Sequence, residues 1–195
     1  MHEPDDSDDR FLTIVSGLPR SGTSMMMRML EAAGVPVLVD HVRRPDEDNP
    51  LGYYELEVVK KTKTDTGWLD GSEGKAVKMV YRLLHDLPPD RRYRVLFMTR
   101  HLDEVLASQE AMLRRSGAPG GLDDAQMQVF FRRELKAFHD WAGKQSNLKL
   151  LSVDYNRMMA DARAELARVS EFLGGGLDVG AMAAVVDESL YRNRR

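Results

Sequence analysis

The chain has 195 residues, 43% of them hydrophobic, which suits one domain with a proper core. Its formal net charge of −3 argues against nucleic-acid binding driven by charge alone. The absence of cysteine excludes a disulfide scaffold, a thiol nucleophile and a cysteine metal site, and suits a reducing compartment.

Residues 1–10 are rich in aspartate and lack the basic and apolar segments of a signal peptide. They read as a short disordered acidic arm before a single domain over 11–195. No apolar run reaches the length of a membrane span. A cytoplasmic protein with neither membrane nor nucleic acid as partner is the expectation.

The apolar run Phe11 to Val15 reads as a buried strand. A glycine-bracketed loop follows, Gly17-Leu18-Pro19-Arg20-Ser21-Gly22-Thr23-Ser24, and a helix opens from it. Such a corner points several backbone N–H groups at one place and adds the positive end of a helix dipole. A phosphate-type anion is the natural guest. The loop nearly fits G-x-x-x-x-G-K-[ST]. Gly17, Gly22 and Ser24 match, Thr23 holds the lysine position, and the cation sits inside the loop at Arg20. A strand–turn–helix corner with no ligand is the plain alternative.

The first helix spans about 22–33, with Met25, Met26, Met29, Leu30 and Ala33 on one face and Arg28 and Glu31 opposite. The methionines read as core filler. Residues 35–39 form a short strand, and the polar, proline-containing stretch 40–52 a surface loop. Residues 53–64 have helical potential, 67–74 are turn-rich, 76–81 form a strand and 82–90 are irregular or briefly helical. Residues 94–99 make the clearest internal strand, which runs straight into Arg100. A helix over 103–115 turns Val105, Leu106, Met112 and Leu113 inward. After a break at 116–121, Asp123 caps a long helix to about Lys144. Its core stripe is Phe131, Leu135, Phe138 and Trp141; Arg132, Arg133 and Lys136 form its solvated face. The last strand, 148–153, precedes a helix marked by Leu166, Val169 and Phe172 that ends at Gly174-Gly175-Gly176. A short helix and a basic end, Arg192-Asn193-Arg194-Arg195, complete the chain.

Strands alternating with helices imply an α/β fold. The expected form is three-layer α/β/α around a central, mostly parallel sheet, like the P-loop nucleoside triphosphatases. In such sheets ligands collect beyond the carboxyl ends of the strands, which puts Arg100 on the same edge as the loop. Ser108 borders the buried face of its helix and can point toward that edge. A magnesium-binding strand would end in aspartate. This one ends in arginine, which argues against metal-dependent nucleotide hydrolysis, and no metal is expected.

The sequence Pro19-Arg20-Ser21-Gly22-Thr23-Ser24 resembles the 5′-phosphosulfate-binding loop of the sulfotransferases, whose donor is 3′-phosphoadenylyl sulfate (PAPS). The stretch Arg100 to Ser108 resembles their 3′-phosphate motif, R-x-P-x-[DE]-x-x-x-S, with Leu102 in place of proline and Glu104 at the acidic position. Three further segments are similar to the bacterial branch of the family. Asp48-Asn49-Pro50-Leu51-Gly52-Tyr53-Tyr54-Glu55 follows N-P-x-G-[YF]-[YFW]-E. Val153-Asp154-Tyr155, through to Phe172-Leu173-Gly174, follows its last strand and helix. Ser189-Leu190-Tyr191-Arg192-Asn193-Arg194 follows its terminal S-L-x-R-x-R.

The resemblance implies metal-independent, in-line transfer of a sulfuryl group from PAPS to a hydroxyl or amine of a small-molecule acceptor. Adenosine 3′,5′-bisphosphate is the product. Gly17, Pro19, Arg20, Ser21, Gly22, Thr23 and Ser24 are then the 5′ site, and Arg100 and Ser108 the 3′ site. Arg20 is assigned to the charge that builds on the bridging oxygen. Arg192 and Arg194 either close over the 3′-phosphate or are simply solvated. Many members carry a histidine just after the third strand, but Lys78-Met79-Val80-Tyr81 has none. Glu55 is therefore the favoured general base, with compensation of a first-turn helix dipole as its equal alternative. His41 is the second candidate. Lys78 either faces the donor sulfate or snorkels along the surface. The rival readings are a small-molecule kinase and a nucleotide-binding module without chemistry. A homo-oligomer that completes the pocket is left open.

Overall fold

The computed structural model describes residues 10–46, 49–116 and 123–187. Strand β1 (Leu12–Gly17) is buried along its whole length. That burial needs cover on both faces, as the middle strand of a parallel sheet has. β2 (Val37–Leu38), β3 (Ala76–Lys78), β4 (Tyr93–Thr99) and β5 (Leu148–Asp154) join it in a five-stranded sheet of order β2-β3-β1-β4-β5. Every pairing is parallel. The chain runs from β1 to the edge strand β2, returns to β3 beside β1, then crosses to β4 on the other side. The carboxyl end of β1 is thus the switch point at which such sheets open a crevice.

Successive residues of β4 sort the core into two halves, because strand side chains alternate between faces. Val95 and Phe97 join Phe131 and Phe138 of α3 (Asp124–Ala142) and Val105 and Leu106 of α2 (Leu102–Ser116). Phe97 and Phe138 stack with centroids 5.0 Å apart, and Tyr81 meets Phe138 edge-on at 5.6 Å. On the other face, Leu96 and Met98 pack with Met26 and Met29 of α1 (Thr23–Ala32) and with Met158 of α4 (Tyr155–Ala160). Leu166 and Val169 of α5 (Ala162–Phe172) and Met182 of α6 (Val179–Ala183) complete this half.

Several elements differ from the sequence reading. β2 has two residues rather than five, since only Val37 and Leu38 find partners on β3. β3 stops at Lys78, because a 3₁₀ helix begins at Tyr81. Residues 53–64 hold only a 3₁₀ turn, Glu57–Lys61, as Tyr54 sits in the left-handed region at φ 53° and interrupts any longer helix. Asp123 occupies the cap position of α3, but its side chain makes no capping bond. On α1, Met27 is buried with the other methionines, and Arg28 is half-buried rather than solvated. This helix is sandwiched between the sheet and α6, so it buries more than one face. The acidic arm (apart from Arg10) and the basic end, with Arg192 and Arg194, lie outside the described residues.

Candidate active site

The loop after β1 has its shape from three left-handed residues. At Gly17 (φ 147°) a Cβ would lie 2.6 Å from the Met98 carbonyl oxygen. At Gly22 (φ 98°) it would lie 2.5 Å from Cδ2 of Tyr155. Between them Arg20 takes φ 70°, an unusual conformation for a residue with a side chain. Ser21 closes the turn: its amide and its hydroxyl both donate to the Leu18 carbonyl, at 3.2 and 2.7 Å. Ser21 is 1% exposed and shapes the loop from within; its amide, which the sequence reading placed in the 5′ site, is turned to the Leu18 carbonyl. The first N–H groups of α1 have no intrahelical acceptor, as geometry dictates. They open toward a cavity of about 450 Å³, whose floor includes Gly17, Pro19, Arg20, Gly22, Thr23 and Ser24.

Arg100 and Ser108 line the same cavity. Arg20 Nε donates to Ser108 Oγ at 2.9 Å, and Arg100 Nη1 donates to the Arg20 carbonyl at 3.2 Å. The two expected phosphate sites therefore meet at Arg20. Arg100 also donates through Nε to Glu104 at 2.8 Å, and its guanidinium carbon lies 4.5 Å from the centroid of the Tyr155 ring.

A third wall comes from the segment after β2. Ser24 Oγ donates to the Tyr53 carbonyl at 3.2 Å and accepts from Asn49 Nδ2 at 3.0 Å, which staples this segment to the start of α1. Glu55 Oε1 accepts from Lys78 Nζ at 3.3 Å and from Arg43 Nη1 at 3.0 Å. Lys78 Nζ also donates to the Tyr53 carbonyl. Arg43 lies over the Tyr53 ring, 3.3 Å from its centroid. Lys78 lies inside rather than along the surface, with a side chain only 14% exposed. Burial lowers its pKa below the ordinary lysine value, and the Glu55 carboxylate pulls it partly back up.

Glu55 precedes the nearby 3₁₀ helix, whose first-turn acid is Glu57, so the dipole reading does not describe it. His41 is exposed and is not among the residues lining the cavity. His85 is exposed as well, tilted against Trp141 with ring centroids 3.9 Å apart.

Arg28, Asn49 and Arg43 are polar cavity residues to which the sequence reading gave no site role. Arg28 lies one turn beyond Ser24 on α1, and that spacing was the available signal. Its Nε is buried with no hydrogen-bond partner among the described residues, and burial lowers its pKa. Asn49 stood inside a quoted motif without being assigned a role. Arg43 carried no signal, because its partner Glu55 lies on the far side of a loop. Among the described residues, no group of three or more His, Asp or Glu side chains could hold a metal ion, and no helix is long and apolar enough to cross a membrane.

Comparison with known proteins shows the family and the fold. The family model described as a sulfotransferase domain matches residues 11–195. The fold is similar to the sulfotransferase STF1 from Mycobacterium tuberculosis H37Rv, with a TM-score of 0.56 and 16% identity over 95% of this chain and 74% of that one. It is also similar to the sulfotransferase domain from the curacin biosynthetic pathway, with a TM-score of 0.52 and 14% identity over 95% of this chain and 92% of that one. No curated protein matches the chain.

Proposed function

The chain belongs to the sulfotransferase-domain family, and from that premise we propose that it transfers a sulfuryl group from PAPS to a hydroxyl or amine of a small-molecule acceptor, without a metal. One observation carries the reading of the donor. The phosphate loop and the Arg100–Ser108 pair share one cavity and touch each other through Arg20. A carrier with phosphates at both ends of a nucleoside fits that pairing better than a nucleoside triphosphate, which would call for a loop lysine. Arg28 lines the same cavity, and its added positive charge suits a polyanionic guest.

When bound, PAPS supplies a sulfuryl group that moves in line through a loose transition state, so positioning and charge stabilisation dominate. The backbone amides from Gly22 to Ser24, with the Thr23 and Ser24 hydroxyls, hold the 5′-phosphate at the start of α1. Arg100 and Ser108 hold the 3′-phosphate. Arg20 faces the departing oxygen; its charge is permanent, so it stabilises that oxygen but does not protonate it. Lys78 faces the transferring group from the end of β3. Glu55 accepts the acceptor's proton, and Arg43 and Lys78 fix the carboxylate through its Oε1.

Thermal melting tests the reading. Adenosine 3′,5′-bisphosphate should raise the melting temperature without magnesium, and PAPS should be consumed when a panel of alcohols, phenols and amines is offered. A larger shift with ATP and magnesium would point to a kinase. Stabilisation by the bisphosphate, with no acceptor consuming PAPS, would point to a binding module.

A further inference from the structure

We propose that Glu104 and Asn156 are positioning residues that aim Arg100, and that the first turn of α4 sets the spacing between the two phosphate sites. The inference rests on the donor reading above and extends it to residues outside the phosphate motifs' contact set.

A guanidinium grips phosphate best when two of its N–H groups are presented together in a fixed plane. An arginine at a strand end would otherwise sample many rotamers and lose that freedom on binding. Arg100 is held on several sides. Its Nε donates to Glu104 Oε2 at 2.8 Å, its Nη1 donates to the Arg20 carbonyl at 3.2 Å, and its face rests on the Tyr155 ring. Glu104 is 0% exposed, one helical turn along from Arg100. A buried carboxylate needs a full set of donors. Asn156 Nδ2 supplies one to Oε1 at 3.1 Å. The Oδ1 of Asn156 accepts the amide of His101 at 3.1 Å. Asn156 therefore grips both the counter-ion of Arg100 and the next residue of its backbone.

The residue before Asn156 is Tyr155, whose ring leaves no room for a Cβ at Gly22. Two consecutive residues at the start of α4 thus touch the two sites. Tyr155 abuts the phosphate loop, and Asn156 fixes the 3′ arginine. The distance between the two anion sites is set by one rigid turn, and the turn thereby selects nucleotides that carry both phosphates.

The test is calorimetric titration of adenosine 3′,5′-bisphosphate and of adenosine 5′-monophosphate into the full chain, its Glu104→Gln, Asn156→Ala and Arg100→Ala variants, and the Asn156→Ala/Arg100→Ala double variant. Wild type should prefer the bisphosphate. Asn156→Ala and Glu104→Gln should each weaken bisphosphate binding about tenfold, the low end for a lost hydrogen bond to a charged group, and change monophosphate binding by less than about twofold. In the Arg100→Ala background, Asn156→Ala should add nothing. Asn156→Ala keeps the test decisive should burial of an altered Glu104 prevent folding. Equal losses for both nucleotides, an unchanged bisphosphate affinity, or an additive loss in the Arg100→Ala background would overturn the assignment. A wild type with no preference for the bisphosphate would instead sink the donor reading, and this inference with it.

Discussion

Replacing Arg20 by glycine should separate what this residue does for the fold from what it does for the reaction. Arg20 sits at φ 70°, where a side chain costs about 1–2 kcal/mol that glycine does not incur. Glycine gives back about 0.5–1 kcal/mol through its greater freedom in the unfolded chain. The variant also loses the bond from Arg20 Nε to Ser108 Oγ at 2.9 Å, an interaction of about 1 kcal/mol. The Arg20 carbonyl stays in place to accept from Arg100. These contributions nearly cancel, so the melting temperature should stay within about 4 °C of wild type. Turnover should respond quite differently, since removing a donor aimed at developing charge costs about 10²–10³ in kcat. Arg20→Ala keeps the strained backbone without the bond, and should therefore melt below Arg20→Gly. The assay pairs thermal melting with PAPS consumption at saturating donor over an acceptor panel. Turnover of Arg20→Gly within about threefold of wild type would remove Arg20 from the transition state. A fall in melting temperature well beyond that margin would show that the loop depends on the side chain for its shape.

Gly22→Ala should destabilise the protein by about 2 kcal/mol or more and abolish bisphosphate binding, since its Cβ would collide with Tyr155; Gly175→Ala, also at positive φ but with nothing within 4 Å, should cost only about 1–2 kcal/mol in denaturant titration. The lowered pKa of Lys78 gives a pH prediction. Its cation is present below the folded pKa, so activity should fall as pH rises through a value below 10.5, and Lys78→Arg should move that limb upward. Over the same window, from the folded pKa up to 10.5, the unfolded chain binds more protons, so Lys78's contribution to stability should rise with pH while activity falls. Phe138→Ala, which removes a 2% exposed ring stacked on Phe97, should cost about 3–5 kcal/mol in denaturant titration.

The strand–loop–helix corner was legible because three local signals agree there: an apolar strand, glycines where φ must be positive, and an amphipathic start to a helix. That Arg100 and Ser108 would reach the same edge of the sheet was legible for a similar reason, since strand end and following helix are close in sequence. Other features depend on contacts that no local window contains. Arg28 was placed on the solvent side because an amphipathic reading assumes one buried face, whereas α6 covers a second. The helix expected over 53–64 fails at Tyr54, where φ is 53°, beside a Tyr53 carbonyl held by Ser24 at the start of α1 and by Lys78 at the end of β3. Glu55 was found through its motif, but its two cationic partners, Lys78 and Arg43, came together only in the fold. Ser21 entered the 5′ site through its place in the loop; the turn of its amide and hydroxyl onto the Leu18 carbonyl is a property of the folded backbone.

A crystal structure of the protein with adenosine 3′,5′-bisphosphate bound would test the account most directly. The 5′-phosphate should lie against the amides of Gly22 to Ser24, and the 3′-phosphate against Arg100 and Ser108, with Arg20 between them. A nucleotide seated elsewhere, or one whose 3′-phosphate points away from Arg100 into solvent, would contradict it.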